Sequence, residues 1–276
     1  MDPGYAGAAT APPGATVAGH APPSRRSLGG TAAQAALTIA VPLACLALAS
    51  VLSLAAVRVG ADLRLGLDPF ASGAARPILS LRELAGRGLA IDALRAALVA
   101  LLVVGVARWR RPDGWRERLA LAQPTPAGRG LARLWWLLPV WPILHIAWVT
   151  ASAEALHVGF AHGVRLSPFL SPVMVACWLG YVGLLAPLAE ELLLRGETFA
   201  RARAFLRPWG AIAVTALLFC LAHVSEAGLA RPVTLLPLAV ALGWLRWRTG
   251  RLWPCVLLHG WSNLAMVAYV LWPGMR

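Results

Sequence analysis

The chain has 276 residues, 59% of them hydrophobic and only 13% charged, with a mean hydropathy of +0.67. Such a composition excludes a disordered chain and a water-soluble single-core globule, and it leaves room for several spans of about 20 residues. The formal net charge is +13, and all 25 basic residues are arginine. In so apolar a chain, positive charge marks the loops on one side of a bilayer. No aromatic-interleaved basic module or zinc spacing points to nucleic acid, so no nucleic-acid partner is expected.

Residues 1–30 are rich in Ala, Pro and Gly and read as a disordered cytoplasmic tail. The apolar run over 32–57 is too long for a signal-peptide core and is expected to be a retained first helix. Further apolar segments cover 88–107, 134–153, 172–194, 209–224, 232–247 and 252–272. The fold expected is therefore an all-α, polytopic membrane helix bundle of about seven transmembrane helices, with six to eight as the range. It divides into the tail (1–30), N-terminal helices with a basic cytoplasmic loop (31–133) and a C-terminal membrane core (134–276). With the N-terminus inside, fifteen arginines fall in inner loops and eight outside, which favours a cytoplasmic N-terminus. Asp92 and Arg95 interrupt the second segment without an assigned role. Cys45, Cys177, Cys220 and Cys255 lie in apolar runs without a C-x-x-C pair and read as small buried residues. His145, His157 and His162 are expected at interfaces or in loops.

Ionisable groups inside a membrane are costly, and each is a functional hypothesis. Three clusters stand out in the C-terminal half: Glu190-Glu191 with Arg195, Phe219 with His223, and His259 with Asn263. Adjacent helical residues point about 100° apart, so Glu190 and Glu191 cannot share one task. Glu191 and Arg195, at i and i+4, suit a helical ion pair, which leaves Glu190 without a local basic partner. His259 and Asn263 share a helix face, and Phe219 stands one turn below His223. Pro187 can kink the helix beside Glu190 and widen the pocket there.

Depth supports the convergence. Glu190 lies 17 residues before Arg207 and His223 lies 16 after it. In an antiparallel hairpin turning at Arg207-Pro208, both side chains reach one level, about 25 Å from the turn at 1.5 Å per residue. His259 comes only one turn into the last segment, so it joins them only if that helix starts deeper. A carboxylate facing imidazoles in an apolar pocket can act as a general base toward water, with His223 holding the proton. His259 and Asn263 can donate to a developing oxyanion, worth about 3–4 kcal/mol per donor.

E-E-x-x-x-R, F-x-x-x-H and H-x-x-x-N, in this order on successive apolar segments, resemble the CPBP (ABI) family. That family includes CAAX prenyl endopeptidases and bacteriocin-processing or self-immunity proteins. The resemblance covers about residues 172–272. It implies an intramembrane endopeptidase in which Glu190 and His223 activate water and His259 and Asn263 form the oxyanion hole. Glu191, Arg195 and Phe219 have supporting roles, and no metal or cofactor takes part. It also implies a membrane-associated protein or peptide substrate: a prenylated C-terminus, a bacteriocin precursor and a C-terminal sorting tail are all compatible. The expected location is the bacterial cytoplasmic (inner) membrane. Three other readings stay open. One is a zinc peptidase using Glu190, His223 and His259, although H-E-x-x-H is absent. Another is a non-catalytic immunity or binding protein of the same family. The third is a transporter, although no symmetric repeats are visible.

Overall fold

The computed structural model describes residues 28–71, 78–122, 135–158, 166–224 and 228–271. The tail expected over 1–30 lies almost wholly outside the described residues, as does His162. The elements in chain order are helices α1 (Leu28–Arg64), α2 (Leu81–Arg110), α3 (Trp115–Arg118) and α4 (Leu137–Ala155). They continue with α5 (Pro172–Ala202), α6 (Pro208–Leu221), α7 (Ala230–Thr249) and α8 (Trp253–Leu271). No β-strand element forms among the described residues.

Every apolar segment read from the sequence forms a helix. By length and composition, α1, α2, α5 and α8 can cross a membrane, and α6 is a shorter apolar helix of 14 residues. Polar residues dilute the other two: His145, Ser152 and Glu154 in α4, and Arg231, Arg246 and Arg248 in α7. The C-terminal part of the chain therefore combines long apolar helices with shorter or more polar ones.

Local chemistry sets the helix ends. Ser80 and Glu83 form a reciprocal capping box at the start of α2. Proline occupies the first turn of α5 and of α6, where its missing N–H removes no helical bond. Gly250 closes α7 with φ of 66°, a left-handed cap that favours glycine, and the chain then turns straight into α8.

The core has two main parts. One joins α1, α2 and α5 through Ala49, Val99, Val103, Leu192 and Leu193, and it includes Leu119 and Leu252. The other joins α4, α7 and α8 through Trp141, Leu238, Leu242 and Leu258. The segment around α3 wedges into the arginine-rich end of the bundle. Arg118 makes two hydrogen bonds to Glu197 on α5, at 2.6 and 2.9 Å, and Leu119 is fully buried against Gly196. The carbonyl of Ala120 then accepts from the backbone N–H of Leu252, at 2.9 Å. That bond satisfies a backbone donor at the start of α8.

Candidate active site

α5 is not a regular α-helix. Two wide π-helical stretches, Tyr181–Leu185 and Leu192–Thr198, flank the α-helical turn that carries Glu190. The first has a legible cause. In π register the backbone donor for the Val182 carbonyl would be residue 187, which is proline and has no N–H. Asn263 on α8 supplies the missing donor: its Nδ2 bonds the Val182 carbonyl at 2.9 Å. In α register Pro187 would serve Gly183, and that carbonyl faces Gly260 of α8. A Cβ on Gly260 would collide with the Gly183 oxygen. The expected kink at Pro187 thus takes the form of a widened turn against which α8 packs backbone to backbone.

The close approach brings His259 to Glu191. His259 Nδ1 lies 2.9 Å from Glu191 Oε1, and Arg195 Nη1 bonds the same oxygen at 3.0 Å. Glu191 and Arg195 are completely buried. The other end of the guanidinium is also committed, since Nη2 donates to the Ala239 carbonyl at 2.8 Å. Arg195 further stands over the Phe219 ring, 5.0 Å from its centroid. The second π stretch leaves the Arg195 carbonyl free to accept from Arg246 Nε at 2.9 Å. The i, i+4 ion pair expected for Glu191 and Arg195 is present, and it carries His259 as a third member.

Glu190 points elsewhere, as the angular argument requires. Its Oε2 lies 3.9 Å from His223 Nε2 and 3.9 Å from His259 Nε2, with the carboxylate about one-third exposed. Those separations are too long for direct hydrogen bonds, and Oε2 itself is buried without a hydrogen-bond partner among the described residues. Phe219 walls the pocket, with ring centroids 4.6 Å from His223 and 5.4 Å from His259.

His223 sits just past α6, which ends at Leu221 and not at residue 224 as the apolar segment suggested. Its ring closes that end: Nδ1 lies 2.7 Å from the Phe219 carbonyl, one of the last acceptors of the helix. A carbonyl only accepts, so Nδ1 of His223 carries the hydrogen. Glu191 imposes the same tautomer on His259. In the neutral rings both Nε2 atoms are therefore acceptors turned toward Glu190. A hydrogen at His259 Nε2 requires the doubly protonated ring, whose charge Glu191 faces.

Glu190, Glu191, Arg195, Phe219, His223 and His259 thus lie in one cluster, and Asn263, one turn beyond His259 on α8, bonds the Val182 carbonyl instead. His145 lies at the interface of α4 and α8. It is buried within α4 at 4% exposure, stacked on Trp141 and 2.7 Å from Ser262 Oγ. Trp141 Nε1 donates to the same hydroxyl at 3.3 Å. Nothing in spacing flags that network, because its members are 121 and 117 residues apart. His157, exposed at the end of α4, makes no contact with the cluster. Among the described residues no group of three or more His, Cys, Asp or Glu is placed to hold a metal ion, and this includes the set Glu190, His223 and His259.

The described fold is an all-helical bundle of apolar, membrane-type helices with one buried carboxylate–imidazole cluster. A family model described as type II CAAX prenyl endopeptidase Rce1-like matches residues 172–265. The matched stretch is similar to that protease family and contains Glu190, Glu191, Arg195, Phe219, His223, His259 and Asn263. No curated protein and no solved structure matches the chain.

Proposed function

We propose that the protein is an intramembrane endopeptidase that cleaves a membrane-associated protein or peptide by direct attack of water. Glu190 takes a proton from the water as its oxygen adds to the scissile carbonyl. His259, in its doubly protonated form, and the second N–H of Asn263 donate to the oxyanion. As the carbon–nitrogen bond breaks, the proton passes from Glu190, with His223 as relay, to the leaving amine. No covalent intermediate forms. Glu191 and Arg195 orient His259, and Phe219 holds the two imidazoles apart. The catalytic core is the C-terminal half, and the setting is a bacterial cytoplasmic membrane with the N-terminus in the cytosol.

The observation that carries this reading is the convergence of two Nε2 atoms on one buried carboxylate oxygen that has no hydrogen-bond partner among the described residues, at 3.9 Å each. Both rings are fixed from behind by their Nδ1 contacts. The test uses the full chain in lipid nanodiscs and a pool of internally quenched peptides derived from membrane-protein termini. Cleavage should persist in a strong chelator and fall by about 100-fold or more in His223→Ala. Loss of activity in the chelator would instead favour the zinc reading. Cleavage unaffected by His223→Ala would remove His223 from the mechanism.

A further inference from the structure

Asp92 and Arg95 have no part in the chemistry above, yet they stand in the middle of a helix apolar enough to span a membrane. Their ion pair is 2.6 Å long, and the two side chains remain 44% and 38% exposed. Exposure there means contact either with lipid or with an open cleft. The helix pattern decides between them. The buried residues of α2 are Ala96, Val99, Val103 and Ala107, a stripe packed in one cluster with Ala189, Leu192 and Leu193 of α5. Asp92 precedes Ala96 by one turn and Arg95 precedes Val99 by one turn, so both lie on that inward stripe. Leu101, 67% exposed, lies on the opposite face and marks the lipid side. Charges in a span face the bundle interior or a watery cavity. Across from the pair, the Tyr181–Leu185 stretch of α5 packs on α2, with Tyr181 within electrostatic reach of Arg95, Asp92 and Glu190.

We propose that Asp92, Arg95 and Tyr181 line a water-filled cleft between α2 and α5 that leads to Glu190 and binds the main chain of the substrate on one side of the scissile bond. The ligand class follows from the pair's charge. Asp92 and Arg95 neutralise each other, so the pair is not an anion trap. Arg95 keeps N–H donors beyond the one given to Asp92, and Asp92 keeps acceptor capacity. A donor beside an acceptor complements the C=O and N–H of an extended peptide, whose backbone finds no other partners at membrane depth. This subsite rests on the peptidase reading, whereas the cleft does not.

Two measurements test it. In full chains whose four native cysteines are replaced by serine or alanine, Asp92→Cys, Arg95→Cys and Leu101→Cys are labelled one at a time in bilayers with a charged methanethiosulfonate. The first two should react at least about 10-fold faster than Leu101→Cys; equally slow labelling of all three overturns the cleft. The second measurement uses a quenched peptide that the chain cleaves, with Glu190→Gln as the inactive control. Arg95→Gln should raise KM by about 10-fold or more with little change in kcat. The double exchange Asp92→Arg with Arg95→Asp keeps an ion pair, so full recovery of KM would reveal a purely structural bridge and overturn the subsite. Undiminished cleavage by Glu190→Gln would refute the peptidase reading and leave the labelling result standing.

Discussion

A single carboxylate oxygen, Oε1 of Glu191, holds both Arg195 and His259, at 3.0 and 2.9 Å. The acid therefore bridges two helices and sets the ring of a residue proposed to act on the substrate. Glu191→Ala strands a fully buried guanidinium, and removing one partner of a buried pair costs about 3–5 kcal/mol. Thermal unfolding in detergent should show a large loss for this variant. Glu191→Gln keeps the shape but removes the charge facing His259. It should fold and lose about 10–100-fold in peptide cleavage, an outcome that separates orientation of His259 from simple stability.

Pro187→Ala makes a less obvious prediction. The new N–H at position 187 competes with Asn263 for the Val182 carbonyl, and helix propensity favours the alanine. The variant should be as stable as the parent or more so, while cleavage falls by about 10-fold as Asn263 loses its anchor. A variant with unchanged activity would show that the π turn does not depend on the missing donor.

Much of this site is legible from spacing, and the reasons are physical. Glu190 and Glu191 divide their roles because adjacent helical residues diverge by about 100°. His223 meets Glu190 because both lie at matched distances from the Arg207-Pro208 turn. His259 required a helix that starts deep, and a backbone donor at the start of α8 is met from far away in sequence, by the Ala120 carbonyl that accepts from the N–H of Leu252. No pattern in α8 announces a contact made by the α3 segment. Nor does hydropathy reveal that Glu191 reaches His259 across 68 residues, or that a proline four residues earlier leaves a carbonyl for Asn263. The expected segments all correspond to helices, of which four are long and apolar enough to cross a membrane. Apolar runs mark helices well, but a helix packed on neighbours can be short like α6 or polar like α7 and still belong to the bundle.

Gly260→Ala adds one methyl where the Gly183 carbonyl stands. The listener to that clash is backbone, which cannot rotate away, so α5 and α8 must separate. Overpacking of this kind costs about 1–3 kcal/mol. The separation also draws His259 from Glu191, so cleavage should fall further than the stability loss explains. Comparing activity per folded molecule with the thermal midpoint checks this.

Ser262→Ala probes the network that sequence did not show. The variant removes the hydroxyl shared by Trp141 and His145 and should lower stability by about 1–3 kcal/mol, because two buried polar groups lose their partner. Cleavage per folded molecule should stay within about threefold of the parent, since neither His145 nor Ser262 faces Glu190 in the proposed mechanism. A drop as large as that predicted for Glu191→Gln would assign the network a direct role.

The central claim is that Glu190 activates the attacking water, and one comparison tests it most directly. Membrane-protein termini are mapped by mass spectrometry in cells that express the intact chain, the Glu190→Gln variant or neither. New termini should appear with the intact chain alone, and the variant should match the empty control. The same new termini at undiminished abundance with Glu190→Gln would contradict the account.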